Sequence, residues 1–205
     1  GKTYKFNVNS QTLLGCSFNP ELAYQWGLVE GNSCLWVERY DLWGSGLTLN
    51  RTPYNGRNYE YISEDPMLTN VIGREVIQGC SDKGIINGPK HMGFNDQEIN
   101  RSGVAVFMNE QKARELELRN LQQAFEGNGK PASFEGDATK DNTYTSGARG
   151  VMTSYNRHGA VAASANVATM VNILQGEWGF HGYNVTDFTG VSLKAAPKES
   201  LLAGT

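Results

Sequence analysis

Apolar positions along the chain fall into two spacings, with polar stretches between them. Asn19-Pro20-Glu21 reads as an N-cap, a proline at the first helical position and an acid in the first turn. Leu22, Trp26 and Val29 follow at helical spacing and predict a helix from about residue 20 to the mid-thirties. Leu47-Thr48-Leu49 predicts a buried strand, and a polar loop, RTPYNGRNYEYISEDP, follows it. Asp65-Pro66 opens a second helix, with Leu68, Val71, Ile72 and Cys80 on its buried face and Gly84 at its end. Residues 85–89 predict a strand that stops at Pro89, because proline cannot donate to a ladder.

A polar loop is then expected from Lys90 to about Gly103. Residues 104–108 fit a short strand or extended loop. Asn109 is placed to cap a helix with Ala113, Leu116, Leu121 and Ala124 on its inner face. Residues 127–147, rich in Gly, Asn, Asp, Ser and Thr, predict a surface insertion rather than a domain boundary. Residues 150–154 predict a strand with Tyr155-Asn156 at its exit. Asn166 is placed to cap a helix carrying Met170, Val171 and Leu174. GFHGYNVTDF supplies a Gly-rich turn and a strand ending at Asp187, and residues 195–202 predict a last helix.

Strand, polar loop and helix thus recur about four times, which predicts a mostly parallel α/β sheet. In parallel barrels the chemistry sits at the carboxyl ends of the strands. The polar groups here fall at those ends: Arg57, Lys90 and His91, Tyr155, Asp187. A doubly wound sheet would also place ligands there, usually with a Gly-rich phosphate loop. Neither GxGxxG nor GxxxxGK[ST] occurs.

Composition narrows the classes. Hydrophobic residues at 39% and charged residues at 19% fit a globular chain. A formal charge of -3 argues against a nucleic-acid partner. No stretch approaches the 18 or so apolar residues of a membrane helix. The opening GKTYKFNVNS has no leader pattern and does not resemble a natural start, so the compartment stays open between secreted, cell-surface and cytoplasmic. The three cysteines, without a CxxC pair, do not suggest a disulfide framework or a metal site; Cys80 fits a core position. His158 and His181 lack metal spacing, and neither HExxH nor GxSxG is present, so no cofactor or metal is expected.

Each candidate group has a plainer alternative. Arg57 can donate two bonds to vicinal hydroxyls, or tie its loop to Glu60, Glu64 or Asp65. Lys90 and His91 can both donate into one pocket, or pair with Asp96 or Glu98. Asp187 can act as nucleophile, base or metal ligand, or cap the next segment. Met152 and Tyr155 can flank a ligand or pack in the core.

Four strings, LNRTPYNGRNYEYISEDP, KHMGFNDQEINR, GVMTSYNRHG and GEWGFHGYNVTDF, occur in an order and spacing that resembles the catalytic N-terminal barrel of glycoside hydrolase family three, as in β-glucosidases and β-xylosidases. The resemblance covers residues 12 to 205 and implies an incomplete TIM-like (β/α) barrel. It also implies a retaining, exo-acting glycosidase acting on terminal β-D-glucosyl or β-xylosyl residues. By motif position, Asp187 is implied to be the nucleophile. Arg57, Lys90, His91 and Tyr155 are implied to hold the sugar, with Arg101 and Met152 lining or supporting the same subsite. Phe188 stands where the family commonly has Trp, and Met92 where Phe is usual. NDQEINR is expected to brace the loop and aim Arg101. The partners implied are a carbohydrate substrate and the remainder of the same polypeptide.

Three departures follow from the same resemblance. The family's barrel begins earlier, with an acidic residue that grips the sugar. Its general acid commonly comes from a second domain, expected here beyond residue 205. NDQE also differs from the His-bearing loop of the N-acetylglucosaminidase branch. The 205 residues alone are therefore expected to aggregate and not to hydrolyse an aryl β-glucoside. A carbohydrate-binding or scaffold protein that kept the barrel is the alternative, against which the retention of Asp187 argues.

Overall fold

The computed structural model describes residues 9–127, 147–187 and 197–205. After a short helix α1 (Gln11–Gly15), helix α2 (Pro20–Trp36) starts where the Asn19 side chain accepts the Leu22 N–H at 3.1 Å. Helix α3 (Pro66–Asp82) starts in the same way, with Asp65 accepting from Leu68 at 2.6 Å. It ends at Gly84, whose φ of 79° suits glycine.

The two helices touch through their backbones. A Cβ on Gly27 would stand 2.2 Å from the Val76 carbonyl oxygen, and one on Gly79 would stand 2.3 Å from that of Tyr24. This corrects the expected face of α2. The buried stripe is Ala23, Gly27, Gly31 and Cys34, while Leu22 and Val29 are exposed. Small side chains face α3 because only they allow so close an approach. Leu68 and Val71 on α3 are half-buried, and Ile72 and Cys80 are fully buried.

Leu47, Thr48 and Leu49 are buried as predicted, but they form no continuous strand: parallel bridges join the preceding Gly46 to Tyr61 and Lys90, and the Leu47 carbonyl accepts from the Asn120 side chain. Strand β1 (Asp41–Leu42) pairs in parallel with β2 (Ile86–Asn87). The chain then crosses Pro89 and continues as β3 (Lys90–Met92). Lys90 and His91 therefore lie on a strand, not in the predicted loop. Pro89 lacks an N–H, yet its carbonyl accepts from Met152 at 3.1 Å, so pairing resumes immediately with a new partner. β3 runs parallel to β5 (Gly150–Thr153), and β5 runs parallel to β8 (Tyr183–Thr186) in continuous register.

Strand β4 (Ala105–Val106) pairs in parallel with β6 (Arg157–His158), which turns back as an antiparallel hairpin with β7 (Val161–Ala162). The described strands thus form one two-stranded and two three-stranded pieces, parallel except at that hairpin. With helices packed on the outside, this is an incomplete (β/α) barrel.

Asn109 caps α4 (Glu110–Lys112), but the chain then widens into a π turn, Ala113–Glu117, before α5 (Arg119–Glu126). The extra residue per turn shifts the face. Leu118 is buried where Leu116 was expected, and Glu117 points inward to meet Arg51. Helix α6 (Ala168–Glu177) is also π-wound, opens at Asn166 and buries Met170 and Leu174. The last helix, α7, spans Pro197–Leu202; its predicted start at 195, and nearly all of the insertion at 127–147, lie outside the described residues. Ile72, Val76, Met92, Leu121, Phe125, Val151, Met170 and Leu174 form the core between helices and strands. No described helix is long and apolar enough to cross a membrane.

Candidate active site

Three adjacent parallel strands deliver one residue group each to a common mouth. Lys90 on β3 lies opposite Met152 on β5, which lies opposite Val185 on β8, and Asp187 follows β8 at its carboxyl end. Arg57 arrives from the polar loop after Leu49, and Glu98 and Arg101 from the loop after β3. They line one cavity of about 850 Å³ together with His91, Glu60, Trp43, Tyr59 and Thr186.

Asp187 is only 7% exposed. Its Oδ2 lies 3.3 Å from His91 Nε2 and 4.0 Å from Arg101 Nη1. Burial, aided by the charges of Arg57 and Lys90, pushes His91 below its usual range despite the opposing pull of Asp187. The ring is therefore neutral at pH 7 and carries one N–H. Asn95 Nδ2 stands 3.3 Å from His91 Nδ1, while the Asp187 carboxylate and Arg57 Nη1 each stand 3.3 Å from Nε2.

Positive and negative groups alternate around the wall. Lys90 Nζ is 3.4 Å from Glu60, whose other oxygen takes a 2.5 Å bond from Arg57 Nε. Arg57 Nη1 lies 3.3 Å from Glu98, and Arg101 Nη1 lies 2.9 Å from the second Glu98 oxygen. Burial works to raise the Glu60 carboxyl, but the Arg57 bond and the Lys90 charge outweigh it and hold it low. Burial likewise opposes the Arg57 charge, and its bond to Glu60 more than restores it. The Arg101 guanidinium covers the Tyr155 ring at 4.5 Å. Burial and the charge of Asp187 push the Tyr155 hydroxyl up.

Arg57, Lys90, His91, Arg101, Met152 and Asp187 thus meet in one cavity. Tyr155 stands behind Arg101 rather than in the wall, and Phe188 lies outside the described residues. The plainer alternative for Arg57, a tie to Glu60, coexists with its place in the cavity. For Lys90 the plainer alternative is corrected: its partner is Glu60, while Asp96 turns to Arg51 at 3.4 Å. Sequence reasoning missed Trp43 and Tyr59 as wall residues. Trp43 carried one usable signal, an aromatic just ahead of the Gly44-Ser45-Gly46 turn and the apolar run. No group of three or more His, Cys, Asp or Glu side chains among the described residues could hold a metal.

No family model matches the chain. It is 31% identical over 179 residues to "Probable beta-glucosidase J" of Aspergillus fumigatus, which covers 87% of this chain and 19% of that protein. It is 32% identical over 177 residues to "Beta-glucosidase BoGH3A" of Bacteroides ovatus, covering 86% of this chain and 21% of that protein. Beta-glucosidase 3B from Thermotoga neapolitana, solved in complex with glucose, superposes with a TM-score of 0.84 at 28% identity over 99% of this chain and 26% of its own. The chain spans about a fifth of the length of the curated relatives it matches. Four motifs in order, the parallel strand arrangement and these likenesses agree: the chain belongs to glycoside hydrolase family three, within the N-terminal barrel domain.

Proposed function

We propose that the full-length protein is a retaining, exo-acting glycoside hydrolase that removes terminal β-D-glucosyl or β-xylosyl residues, with Asp187 as its nucleophile. The observation that carries this reading is the carboxylate in the cavity wall, held between the His91 imidazole at 3.3 Å and the Arg101 guanidinium at 4.0 Å. The guanidinium charge favours the ionised, attacking form. Lys90 and Arg57 face the same cavity and can donate to the vicinal hydroxyls of a sugar ring.

In the reaction, an Asp187 oxygen forms a bond to the anomeric carbon while the bond from that carbon to the leaving oxygen breaks. The leaving oxygen takes a proton from a carboxylic acid. Water then attacks the same carbon, gives its proton back to that acid and releases Asp187. Glu60 and Glu98, the other carboxyls of the described wall, are each committed to two cations. The acid is therefore assigned to another part of the full-length enzyme.

A 2-deoxy-2-fluoro aryl β-glucoside tests this. Incubation with the full-length protein should add one fluoroglucosyl unit to the peptide containing Asp187, read by mass spectrometry. Binding without that adduct would favour the carbohydrate-binding or scaffold reading instead.

A further inference from the structure

Glu98 is linked, directly or through one side chain, to Arg101 and His91 beside Asp187. Its Oε1 accepts from Asn95 Nδ2 at 3.0 Å and from Arg57 at 3.3 Å; its Oε2 accepts from Arg101 at 2.9 Å. Asn95 in turn stands at His91 Nδ1, and Arg101 and His91 lie beside the Asp187 carboxylate. Mere bracing of a loop would need only one of these bonds. We infer that Glu98 is a positioning residue that sets both the orientation and the ionisation of Asp187, by balancing the charges of Arg57 and Arg101 and supporting the His91 ring through Asn95.

The charged and titratable groups around Asp187 come from four segments of the chain. His91 lies on β3 with Lys90 beside it, Arg101 and Glu98 lie on the loop after β3, Tyr155 lies at the exit of β5, and Arg57 and Glu60 lie on the loop after Leu49, with Arg57 Nη1 3.3 Å from His91 Nε2. In this set Glu98 is the carboxylate shared between the two guanidiniums. Removing its charge leaves more uncompensated positive charge near Asp187, which favours the carboxylate at lower pH. The acid limb of kcat/KM, which reports the nucleophile in the free enzyme, must then move down.

The inference rests on Asp187 being the nucleophile, and the experiment separates the two. In the full-length enzyme, Glu98→Gln should lower kcat by more than about tenfold and shift the acid limb of kcat/KM down by about half a pH unit or more. Glu98→Asp, which keeps the charge on a shorter stem, should lose turnover while keeping the wild-type limb. If the wild type neither turns over nor labels at Asp187, the functional reading fails. If the wild type works and Glu98→Gln loses activity with an unmoved limb, Glu98 only braces the loop and this inference is overturned. Wild-type kcat/KM in Glu98→Gln would overturn it equally. Should Glu98→Gln fail to fold, as judged by thermal melting, a moved limb in Glu98→Asp would still refute it.

Discussion

A carboxylate buried as deeply as Asp187 needs neighbours that offset the lost water, and His91 at 3.3 Å and Arg101 at 4.0 Å stand beside it. Asp187→Asn keeps the shape but cannot form a glycosyl ester. The full-length variant should fold and lose nearly all turnover in an aryl-glucoside assay. Retention of more than about a tenth of the wild-type rate, a barrier change of only ~1.4 kcal/mol, would remove the role from Asp187. At this scale the sequence was informative about which residues take part. Strand-end placement marked Asp187, Lys90 and His91 before any coordinates. It could not show who pairs with whom: Lys90 meets Glu60, thirty positions away, because the loop after Leu49 folds back over β3.

At the scale of elements, the contact of α2 with α3 has no room for a single added methyl. Gly27→Ala would push a Cβ against the Val76 carbonyl, which is backbone and cannot step aside. The expected loss is about 2 kcal/mol, seen as a melting point lower by several degrees; an unchanged melt would show that the helices separate freely. The same packing explains why the apolar periodicity of α2 misled. Leu22 and Val29 were the obvious hydrophobic face, yet close backbone approach selected glycines and alanine. In the segment after Asn109, one π turn moved Leu118 inward and Leu116 outward. No local pattern signals that turn, because its partner, Arg51, lies 66 positions away.

Across the whole molecule, acid should weaken the fold. His158 is fully enclosed, with Nδ1 3.2 Å from the Thr169 hydroxyl and Nε2 3.3 Å from the Gly93 carbonyl. Burial pushes it down to about 4, against only a modest upward pull from that carbonyl. The unfolded chain takes up this proton near pH 6.5, so the stabilisation is complete above that value. It is lost as pH falls from there towards about 4, to a total of about 3 kcal/mol, and His91 adds in the same direction. Denaturant midpoints at pH 7.5 and 5 should differ accordingly, and His158→Gln should flatten the difference. Short strands with open edges and exposed Phe18, Trp36 and Phe107 also bear on behaviour in isolation. The 205 residues expressed alone should elute as aggregates in size exclusion and leave an aryl β-glucoside intact; a monomer with steady turnover would move the acid onto a carboxyl within this chain.

The sequence by itself determined the order of the main helices, the parallel class and the strand-end position of Asp187. These depend on caps, prolines and periodicities that act over a few positions: Asn19 and Asp65 began their helices as read, and Asp187 ended its strand. Only the tertiary structure decided that Pro89 marks a change of strand partner, that small residues face α3, and that Glu60 and Glu98 stand between the cations of the cavity wall. Each of these is settled by groups distant in sequence competing for the same space or the same charge, and no local spacing encodes the winner.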